Sequence, residues 1–388
     1  MIKSVLIKKI LKGSVFKVLS LVNKFTLKDD NIVLLYSANK GIQHSLIPLR
    51  NYLIDHDYDK KYHIVCGIEN LKYQENDGLE YISRISAYKL FFKAKHVFYT
   101  TGQIPIKPSR NQCVIQLGHG STNFKSLGKM TNIDNGDEFY FTYIVATSSY
   151  YKSIKCKEYG CSEDNVAVVG DPMIDELINE KISNDDFASF RKMLLWVPTF
   201  RKSDYLGYDD STTEDLVPLF KIEEYKILNE QLKRRNFKLI VKLHQVQNIE
   251  NETQMHYSNL DIYTHDEFVR TKYTLSGLMK QSDALIGDYS SASMQYLVLN
   301  KPQAYVIPDI QEYTQKRGFA FDHPEDYMAG HIIKSKTEFY NFLDDLLNEK
   351  DVYKNKRSLI LNKMYKYPDN HNCERIVQLS KIYLDKGD

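Results

Sequence analysis

Four short stretches of the sequence carry side chains that can bind or activate a substrate, and each follows an apolar run. In "ALIGDYSS", the run that starts at Ala284 stops at Asp288, and Ser290 and Ser291 follow where a helix should begin. The free N–H groups and positive dipole end of a helix attract anions, and two hydroxyls add hydrogen-bond donors. An ordinary serine N-cap has the same sequence, so this stretch alone does not decide between the two interpretations.

Two further stretches in the same half end predicted strands in basic or hydroxyl side chains. "LLWVPTFRK" leads to Thr199 and Arg201, and "LIVKLHQ" places Lys242 and His244 on the same side of a strand. An arginine fork suits phosphate oxygens. A surface arginine or a strand-end histidine with an ordinary polar role is common, but neighbouring parallel strands bring their ends together. Taken together, the three stretches predict a pocket for a diphosphate.

The fourth stretch, "VIQLGHGST", lies in the first half and places His119 between two glycines at the end of a predicted strand. Glycine lets the backbone approach a ligand closely. An imidazole with an ordinary pKa of about 6.5 can take a proton from a hydroxyl group at neutral pH. Lys125 and Lys129 add positive charge nearby. The structural alternative is a histidine in a simple glycine turn.

Other kinds of chemistry have little support in the sequence. It contains no GxSxG elbow, no GxxxxGK[ST] loop and no GxGxxG fingerprint. His371 and Cys373 lack partners at zinc-finger spacing. Asp283 and Asp288 bracket a strand without a third carboxylate. We therefore expect neither a metal site nor a cofactor.

The fractions of hydrophobic and charged residues are typical of a folded globular protein. The 388 residues are 43% hydrophobic and 26% charged, and the formal net charge is +2. This length predicts two or three domains, and the near-neutral charge gives no support for nucleic-acid binding. The five cysteines form no CxxC pair, and no export signal is evident. We therefore expect reduced thiols in a cytoplasmic protein.

Strand-like runs alternate with helical stretches in two successive series, which predicts two doubly wound α/β domains with parallel sheets. The longest predicted helix covers residues 214–236, and the chain after Lys334 is predicted to be helical. The N-terminal domain is predicted to span residues 29–180, and residues 181–388 are predicted to form a second domain with C-terminal helices. Ligands of such sheets bind outside the carboxyl ends of the strands. The predicted strands are 32–37, 62–66, 96–101, 113–117, 143–147, 166–169, 194–197, 239–243, 262–264, 284–286 and 304–307.

The first 28 residues form a basic, apolar leader with seven lysines and no acid. Its uncharged runs are far shorter than the roughly 20 apolar residues that a membrane span needs. A basic apolar helix can lie on an anionic membrane surface. The alternative is a loosely ordered terminus or a helix that packs on the body of the protein.

The ordered set of motifs resembles the CDP-glycerol glycerophosphotransferase family of teichoic-acid synthesis. "GHGS" is similar to that family's Trp-His-Gly-Thr motif, "GDPMID" to its Gly-x-Pro-x-x-Asp turn, and "VPTFR" to its Ala-Pro-Thr-Trp-Arg segment. "KLH", "GDYSSASMQYLVLNKP" and "EYTQKRGFAFD" match three later motifs in order. The departures are Gly118 for the usual Trp, Met173 for an Arg, Gln245 for a Pro, no Pro after Ser121, and Lys125 one place late.

The resemblance implies a GT-B-like fold in which residues 29–180 form the acceptor-side domain and residues 181–388 the nucleotide-donor domain. It also implies peripheral attachment to the inner face of the membrane, and transfer of glycerol phosphate with release of CMP. His119 aligns with the family's general base. Asp288 is expected near the polyol. The residues that align with donor-phosphate contacts are Thr199, Arg201, His244, Ser290, Ser291 and Arg317.

Several alternatives stay open at this point. The donor is CDP-glycerol or another CDP-polyol, such as CDP-ribitol, and the acceptor is lipid-linked or a glycan. A nucleotide-sugar glycosyltransferase of capsule synthesis would have the same fold. A non-catalytic binding protein on the membrane face is the third alternative, and it predicts that His119 is dispensable.

Overall fold

The computed structural model describes residues 15–100, 104–118, 122–131, 138–182, 186–199, 215–244 and 255–384. The chain forms two compact units. Unit 1 comprises Met1–Thr122, Leu127–Glu176 and Met364–Asp388. Unit 2 comprises Asn123–Ser126 and Leu177–Lys363. Each unit has the α/β architecture that the alternating strands and helices predict.

The sheet of unit 1 is parallel throughout its described strands. These are β1 (Asp29–Tyr36), β2 (His63–Ile68), β3 (Glu80–Ser83), β4 (Ala94–Tyr99), β5 (Cys113–Gln116), β6 (Tyr143–Ala146) and β7 (Val166–Val168). They form a seven-stranded sheet in the order β3-β2-β1-β4-β5-β6-β7. The order reverses between β1 and β4, so the chain winds outward from the centre in both directions.

Helices cover both faces of this sheet. They are α1 (Val15–Phe25), α2 (Leu46–Asp55), α3 (Arg84–Phe91) and α4 (Ser149–Tyr159). The next helix, α5 (Pro172–Asn179), contains the boundary between the two units, which falls after Glu176. Along β1, Val33 and Leu35 pack in the same core cluster as the buried leucines of α2. Leu34 and Tyr36 pack instead with α3 on the other face. A continuous apolar run therefore forms a strand that is buried on both sides.

Unit 2 contains a second parallel sheet. Its described strands are β8 (Lys192–Trp196), β9 (Phe237–Lys242), β10 (Leu260–Tyr263), β11 (Ala284–Gly287), β12 (Gln303–Val306) and β13 (His331–Ile333). Their order is β10-β9-β8-β11-β12-β13, with β8 and β11 at the centre. This is the strand order of dinucleotide-binding folds.

The helices of unit 2 bury the two faces of that sheet. They are α6 (Tyr225–Arg235), α7 (His265–Val269), α8 (Leu275–Gln281), α9 (Ser291–Tyr296), α10 (Ile310–Lys316), α11 (Lys336–Leu347) and α12 (Lys354–Met364). The side chain of Trp196 is fully buried and stacks on Phe339 of α11, with 5.4 Å between ring centroids. Large rings thus fill the space between β8 and α11.

The last helix, α13 (Asn372–Leu379), belongs to unit 1. The carboxylate of Asp175 accepts hydrogen bonds from the main-chain nitrogen of Asn372 at 2.9 Å and from that of Cys373 at 2.6 Å. A carboxylate at a helix N-terminus satisfies N–H groups and complements the helix dipole. Gly170 has φ 98°, and a Cβ there would lie 1.6 Å from Asn372 Oδ1. The "GDPMID" turn therefore holds the C-terminal helix.

The structure differs from the predicted elements in three places. Residues 364–388 group with unit 1 and not with the second predicted domain. The short strands β3 and β13 were not predicted. The predicted helix 214–236 is shorter, because the described chain turns at Leu219 with φ 74° and α6 begins only at Tyr225. The eleven predicted strands are all present, with ends shifted by no more than three residues.

All five cysteines are unpaired, and Cys66 and Cys373 are buried. Within the described part of the chain, no helix combines the length and apolar character needed to cross a bilayer.

Candidate active site

The two central strands of unit 2 end in residues predicted to bind an anion. β8 and β11 are neighbours, but the chain continues from β8 to β9 on one side and from β11 to β12 on the other. Such a switch point leaves a crevice outside the carboxyl ends of the strands. Thr199 lies three residues beyond β8, and Asp288 follows β11 directly.

A hydrogen-bond network joins these strand ends. The main-chain nitrogen and the hydroxyl of Thr199 donate to Asp288 Oδ2 at 2.8 and 3.0 Å. Asp288 Oδ1 accepts from the main-chain nitrogen of Ser290 at 3.1 Å. Asp288 is fully buried, so its carboxylate fixes Thr199 relative to the start of α9. Arg201, two residues beyond Thr199, lies outside the described residues.

The start of α9 has the predicted serine cap. Ser290 is extended, and its hydroxyl accepts a hydrogen bond from the main-chain nitrogen of Ala292 at 3.3 Å. Because it accepts this bond, the Ser290 hydroxyl keeps its own proton for another acceptor. Ser291 is the first helical residue. A Cβ at Gly287 would lie 2.1 Å from Ser293 Oγ, so a larger residue there would require the Ser293 side chain to move.

Lys242 ends the next strand of the sheet, β9, and its ammonium group is largely removed from water. It donates to Leu243 O at 3.3 Å and lies 5.4 Å from the centre of the Phe268 ring. Burial lowers the pKa of the Lys242 ammonium to about 8, and no carboxylate among the described residues offsets this effect. Lys238, earlier on the same strand, pairs with Asp261 at 2.7 Å. Lys242 is therefore a half-buried cation suited to an incoming anion.

His244 is half-buried two residues beyond the end of β9. Leu243 separates it from Lys242 and packs in the core cluster on the opposite face from Phe268. Strand alternation therefore predicts that His244 and Lys242 share a side. The structure places His244 at the carboxyl edge of β9, beside the end of β8.

Arg317 immediately follows α10, where its main-chain nitrogen donates to Tyr313 O at 2.9 Å. The Tyr313 ring stacks on Tyr289, with 4.2 Å between centroids. The Tyr289 hydroxyl donates to Asp309 at 3.1 Å. Since Tyr289 follows Asp288, these buried side chains fix the end of α10 relative to the switch point. Neither Tyr289 nor Asp309 is predicted from the sequence, where the signal is a tyrosine next to a strand end.

His119 lies outside the described residues, as do Gly120 and Ser121, whereas Gly118 and Thr122 are described. Gly118 has φ 79°, and its main-chain nitrogen donates to the side chain of Gln116 at 3.0 Å. The buried hydroxyls of Thr122 and Tyr365 form a hydrogen bond of 2.9 Å. This φ of Gly118 lies in the left-handed region that favours glycine, and the predicted close approach of the backbone to a ligand stays a prediction.

Hydroxyl, ammonium and imidazole groups of the described residues therefore lie at the carboxyl ends of neighbouring strands in unit 2. Because β9, β8 and β11 are adjacent, their carboxyl ends form a continuous edge. Helix N–H groups and a cation at such an edge suit a diphosphate. In the part of the chain that the structure describes, no three His, Cys, Asp or Glu side chains are grouped closely enough to hold a metal ion.

Comparison with known proteins gives consistent matches over most of the chain. The family model for CDP-glycerol:poly(glycerophosphate) glycerophosphotransferase matches residues 17–380. The teichoic acid ribitol-phosphate polymerase TarK of Staphylococcus aureus (strain NCTC 8325 / PS 47) is 25% identical over 346 residues, which cover 84% of this chain and 62% of TarK. The chain therefore spans about three fifths of the length of this relative.

A second relative and a solved structure also match most of the chain. The teichoic acid glycerol-phosphate primase of Bacillus subtilis (strain 168) is 26% identical over 319 residues, or 76% of each chain. A histidine-to-alanine variant of the wall teichoic acid polymerase TagF has a TM-score of 0.74 at 19% identity, covering 97% of this chain and 95% of that one. The structural likeness confirms the predicted GT-B-like α/β fold.

Proposed function

The chain belongs to the CDP-glycerol:poly(glycerophosphate) glycerophosphotransferase family, and on that premise we propose that it is a polyol-phosphate transferase of cell-surface polymer synthesis. Its donor is CDP-glycerol or another CDP-polyol, since the names of its relatives include both glycerol phosphate and ribitol phosphate. Its acceptor is a hydroxyl of a lipid-linked or glycan molecule, and the second product is CMP.

In the proposed reaction, an acceptor oxygen attacks the phosphorus atom that bears the polyol. A new P–O bond forms there, and the P–O bond to the bridging oxygen of CMP breaks. His119 takes the proton of the acceptor hydroxyl as general base. Positive groups and hydroxyls stabilise the negative charge that develops on the phosphate oxygens and on the departing CMP. Most phosphoryl-transfer enzymes stabilise the transition state in this way.

The donor contacts come from unit 2. Thr199, Ser290 and Ser291 supply hydroxyls and helix N–H groups at the switch point. Lys242, His244, Arg201 and Arg317 supply positive charge and hydrogen-bond donors to the diphosphate. Asp288 holds Thr199 and Ser290 in place, and its predicted position near the polyol stays a prediction.

One observation supports this proposal most strongly: a half-buried lysine with no carboxylate partner among the described residues lies on the strand next to the Thr199–Asp288–Ser290 network. Lys242 loses hydration in the folded protein, and no acid among the described residues compensates for it. A donor diphosphate would supply the missing negative charge. A serine cap alone would not explain this arrangement.

The test is to incubate the pure protein with CDP-glycerol, CDP-ribitol and a set of nucleotide sugars, with lipid-linked and glycan acceptors, and to measure CMP release. We expect CMP and incorporation of donor phosphate into the acceptor with at least one CDP-polyol. Incorporation of a sugar without phosphate would identify a glycosyltransferase instead. No turnover with any donor, together with full biological activity of H119A, would identify a binding protein.

We also infer that the protein works at the cytoplasmic face of the membrane. In α1, Phe16 and Leu19 pack on unit 1, whereas Val18 and Phe25 are 61% and 74% exposed. The leader that contains α1 has seven lysines and no acid. An exposed apolar face with flanking lysines is suited to an anionic lipid surface.

A further inference from the structure

A cavity of about 310 Å³ lies in unit 2 at the amino ends of three neighbouring strands, β8, β11 and β12. Lys192 is the first residue of β8, and Asp283 directly precedes β11. Lys301 and Pro302 directly precede β12, and the connection between α11 and α12 lines the other side. The five residues of β8 span about 16 Å. The cavity is therefore distinct from the proposed donor site at the carboxyl ends of the strands.

The ammonium group of Lys192 gives the cavity a positive charge that is not neutralised. Lys192 is half-buried, and its side chain forms no hydrogen bond or ion pair within the part of the chain that the structure describes. Lys350, which also lines the cavity, differs because it pairs with Asp345 at 3.3 Å. An ammonium group that is partly removed from water and has no counter-charge favours an anionic ligand.

Lys301 contributes a second ammonium group. Its Nζ donates to Lys280 O at 2.6 Å and to Ser282 O at 2.8 Å. An ammonium group has three N–H donors, so one remains for a ligand. Burial lowers the pKa of the Lys301 ammonium, and the nearby Asp283 carboxylate acts in the opposite direction. The cavity therefore offers two ammonium groups to phosphate oxygens.

Carboxylates in the same cavity disfavour a ligand that is only an anion. Asp283 Oδ2 accepts a hydrogen bond from the main-chain nitrogen of Met193 at 2.8 Å. A carboxylate has two accepting oxygens, so the other oxygen of Asp283 can accept from a hydroxyl group. Glu349 is exposed and also lines the cavity. A molecule that carries hydroxyl groups beside a phosphate would satisfy both kinds of side chain.

The size and the apolar part of the cavity restrict the ligand further. Its volume is near the lower end of the roughly 300–1,000 Å³ that ligand pockets occupy. Pro302 and the buried side chain of Leu346 supply apolar surface, which suits a short carbon chain. These features fit a small polyol phosphate better than a complete nucleotide.

We propose that this cavity binds a polyol-phosphate unit, with its phosphate at Lys192 and Lys301 and its hydroxyls at Asp283. The inference rests on the proposed function, because the product of that reaction carries such units. Since β8 separates the cavity from the donor site, the bound unit is one that was added earlier and not the reacting one. The acceptor is then a chain that already carries polyol phosphate.

The test is calorimetric titration of the full chain, with excess CMP to occupy the donor site. The ligands are trimers of glycerol phosphate and of ribitol phosphate, free glycerol 3-phosphate and inorganic phosphate. We expect at least one trimer to bind, and inorganic phosphate to bind at least roughly 10-fold more weakly than that trimer. K192E should weaken binding of the trimer at least roughly 10-fold, and K192R should retain it.

The matched control is K226E, which reverses the charge of an exposed lysine of α6 outside the cavity and should bind the trimer as the wild type does. K192E should keep the wild-type unfolding temperature, because the Lys192 side chain has no partner among the described residues. If K192E does not fold, K192M takes its place. Wild-type affinity in the folded variant overturns the proposal.

The other outcomes decide which ligand the cavity takes. Equal affinity for inorganic phosphate and a trimer would identify a simple anion site and overturn the proposal. Binding of free glycerol 3-phosphate without either trimer would overturn the assignment to a chain. K192E should also raise the KM of an acceptor that carries the trimer and leave donor KM unchanged, which a general loss of stability would not do.

Failure of the inference and failure of the proposed function give different results. A wild-type protein that binds a trimer through Lys192 but releases no CMP from any CDP-polyol would overturn the proposed function and leave the binding site. A wild-type protein that transfers polyol phosphate but binds the trimer equally well as K192E would overturn this inference alone.

Discussion

Thr199 and Asp288 are joined by two hydrogen bonds to a single carboxylate oxygen, at 2.8 Å from the main-chain nitrogen and 3.0 Å from the hydroxyl. The pair bridges the ends of the two central strands of unit 2, where the chain winds outward to either side. The second oxygen of the same carboxylate accepts from Ser290. One buried acid thus organises the place where the donor phosphates are proposed to bind.

Replacing that acid by its amide should weaken both the fold and donor binding. D288N places an NH2 group where one oxygen accepts a bond, so we expect the free energy of unfolding to fall by about 1–3 kcal/mol. Donor KM should rise roughly 10-fold, since a loss of about 1.4 kcal/mol in binding has this effect. Chemical unfolding and steady-state kinetics measure the two effects.

The matched control for D288N is D283N. Asp283 lies at the other end of β11 and accepts a hydrogen bond from the main-chain nitrogen of Met193 at 2.8 Å. D283N should lower stability without changing donor KM. A D288N variant with wild-type donor KM would show that this network only supports the fold.

Lys242 should make donor affinity sensitive to alkaline pH. Its pKa is lowered to about 8 by burial, so the free protein loses this positive charge as pH rises through 8, and donor affinity should fall. K242R stays charged and should bind the donor almost equally at pH 7 and 9. Calorimetric titration with CDP-glycerol at the two pH values measures this difference.

The effect of Lys242 on stability has the opposite sign. In the unfolded chain, the Lys242 ammonium has the ordinary pKa of about 10.4. Between about pH 8 and 10, the unfolded chain therefore binds more protons at this side chain than the folded protein does. For this reason, the contribution of Lys242 to the free energy of unfolding rises with pH in that range. K242M should therefore unfold at higher temperature than the wild type at pH 7 while binding the donor more weakly. K238M is the control, because Lys238 pairs with Asp261. Donor affinity that does not change with pH in the wild type would exclude an ammonium contact to the donor.

His119 should control turnover and not donor binding. If it is the general base, H119A should lower kcat by roughly 10²–10⁴-fold and leave donor affinity nearly unchanged. Equilibrium binding of CDP-glycerol and single-turnover rates distinguish the two effects. H371A, which changes an exposed histidine, is the control. If H119A weakens donor binding and leaves turnover normal, His119 is a donor contact and not the general base.

The exposed face of α1 should decide membrane binding. Deletion of residues 1–28 should release the protein from anionic vesicles, but it also removes Asn23, which is fully buried and donates to Lys107 O at 2.9 Å. The double variant V18S/F25S leaves that contact intact and should also reduce co-sedimentation. L359S, at an equally exposed leucine of α12, should not. Sedimentation of V18S/F25S equal to that of the wild type would refute the membrane proposal.

The central strands of both sheets were predictable because strands buried on both faces have continuous apolar runs. The sequence did not reveal β3 and β13, because strands such as "EYIS" and "HII" at sheet edges are short and half-exposed. The prediction of a helix from residue 214 did not take account of Pro218, although proline breaks helices. Local patterns therefore identified the centre of each sheet better than its edges.

For the site, local sequence placed Thr199, Lys242, Asp288 and Ser290 at strand ends, and the structure brings them to one edge. What local sequence could not show is pairing between distant segments. The bond from Ser126 to Phe319 spans 193 residues, and neither stretch alone has a pattern that indicates its partner. Likewise, the burial of Lys242 depends on Phe268 of α7, on a separate part of the chain.

The attachment of α13 to unit 1 has a consequence for synthesis of the protein. Asp175 and its partner Asn372 are 197 residues apart, so a ribosome that adds about 5–20 residues per second needs roughly 10–40 s to reach the second after making the first. During that interval, nascent unit 1 has all its described strands but lacks α13, which contributes Ile376 and Val377 to its core. Translation can therefore finish the polypeptide of unit 2 first, and any product truncated before Asn372 leaves the N-terminal half of the enzyme incomplete.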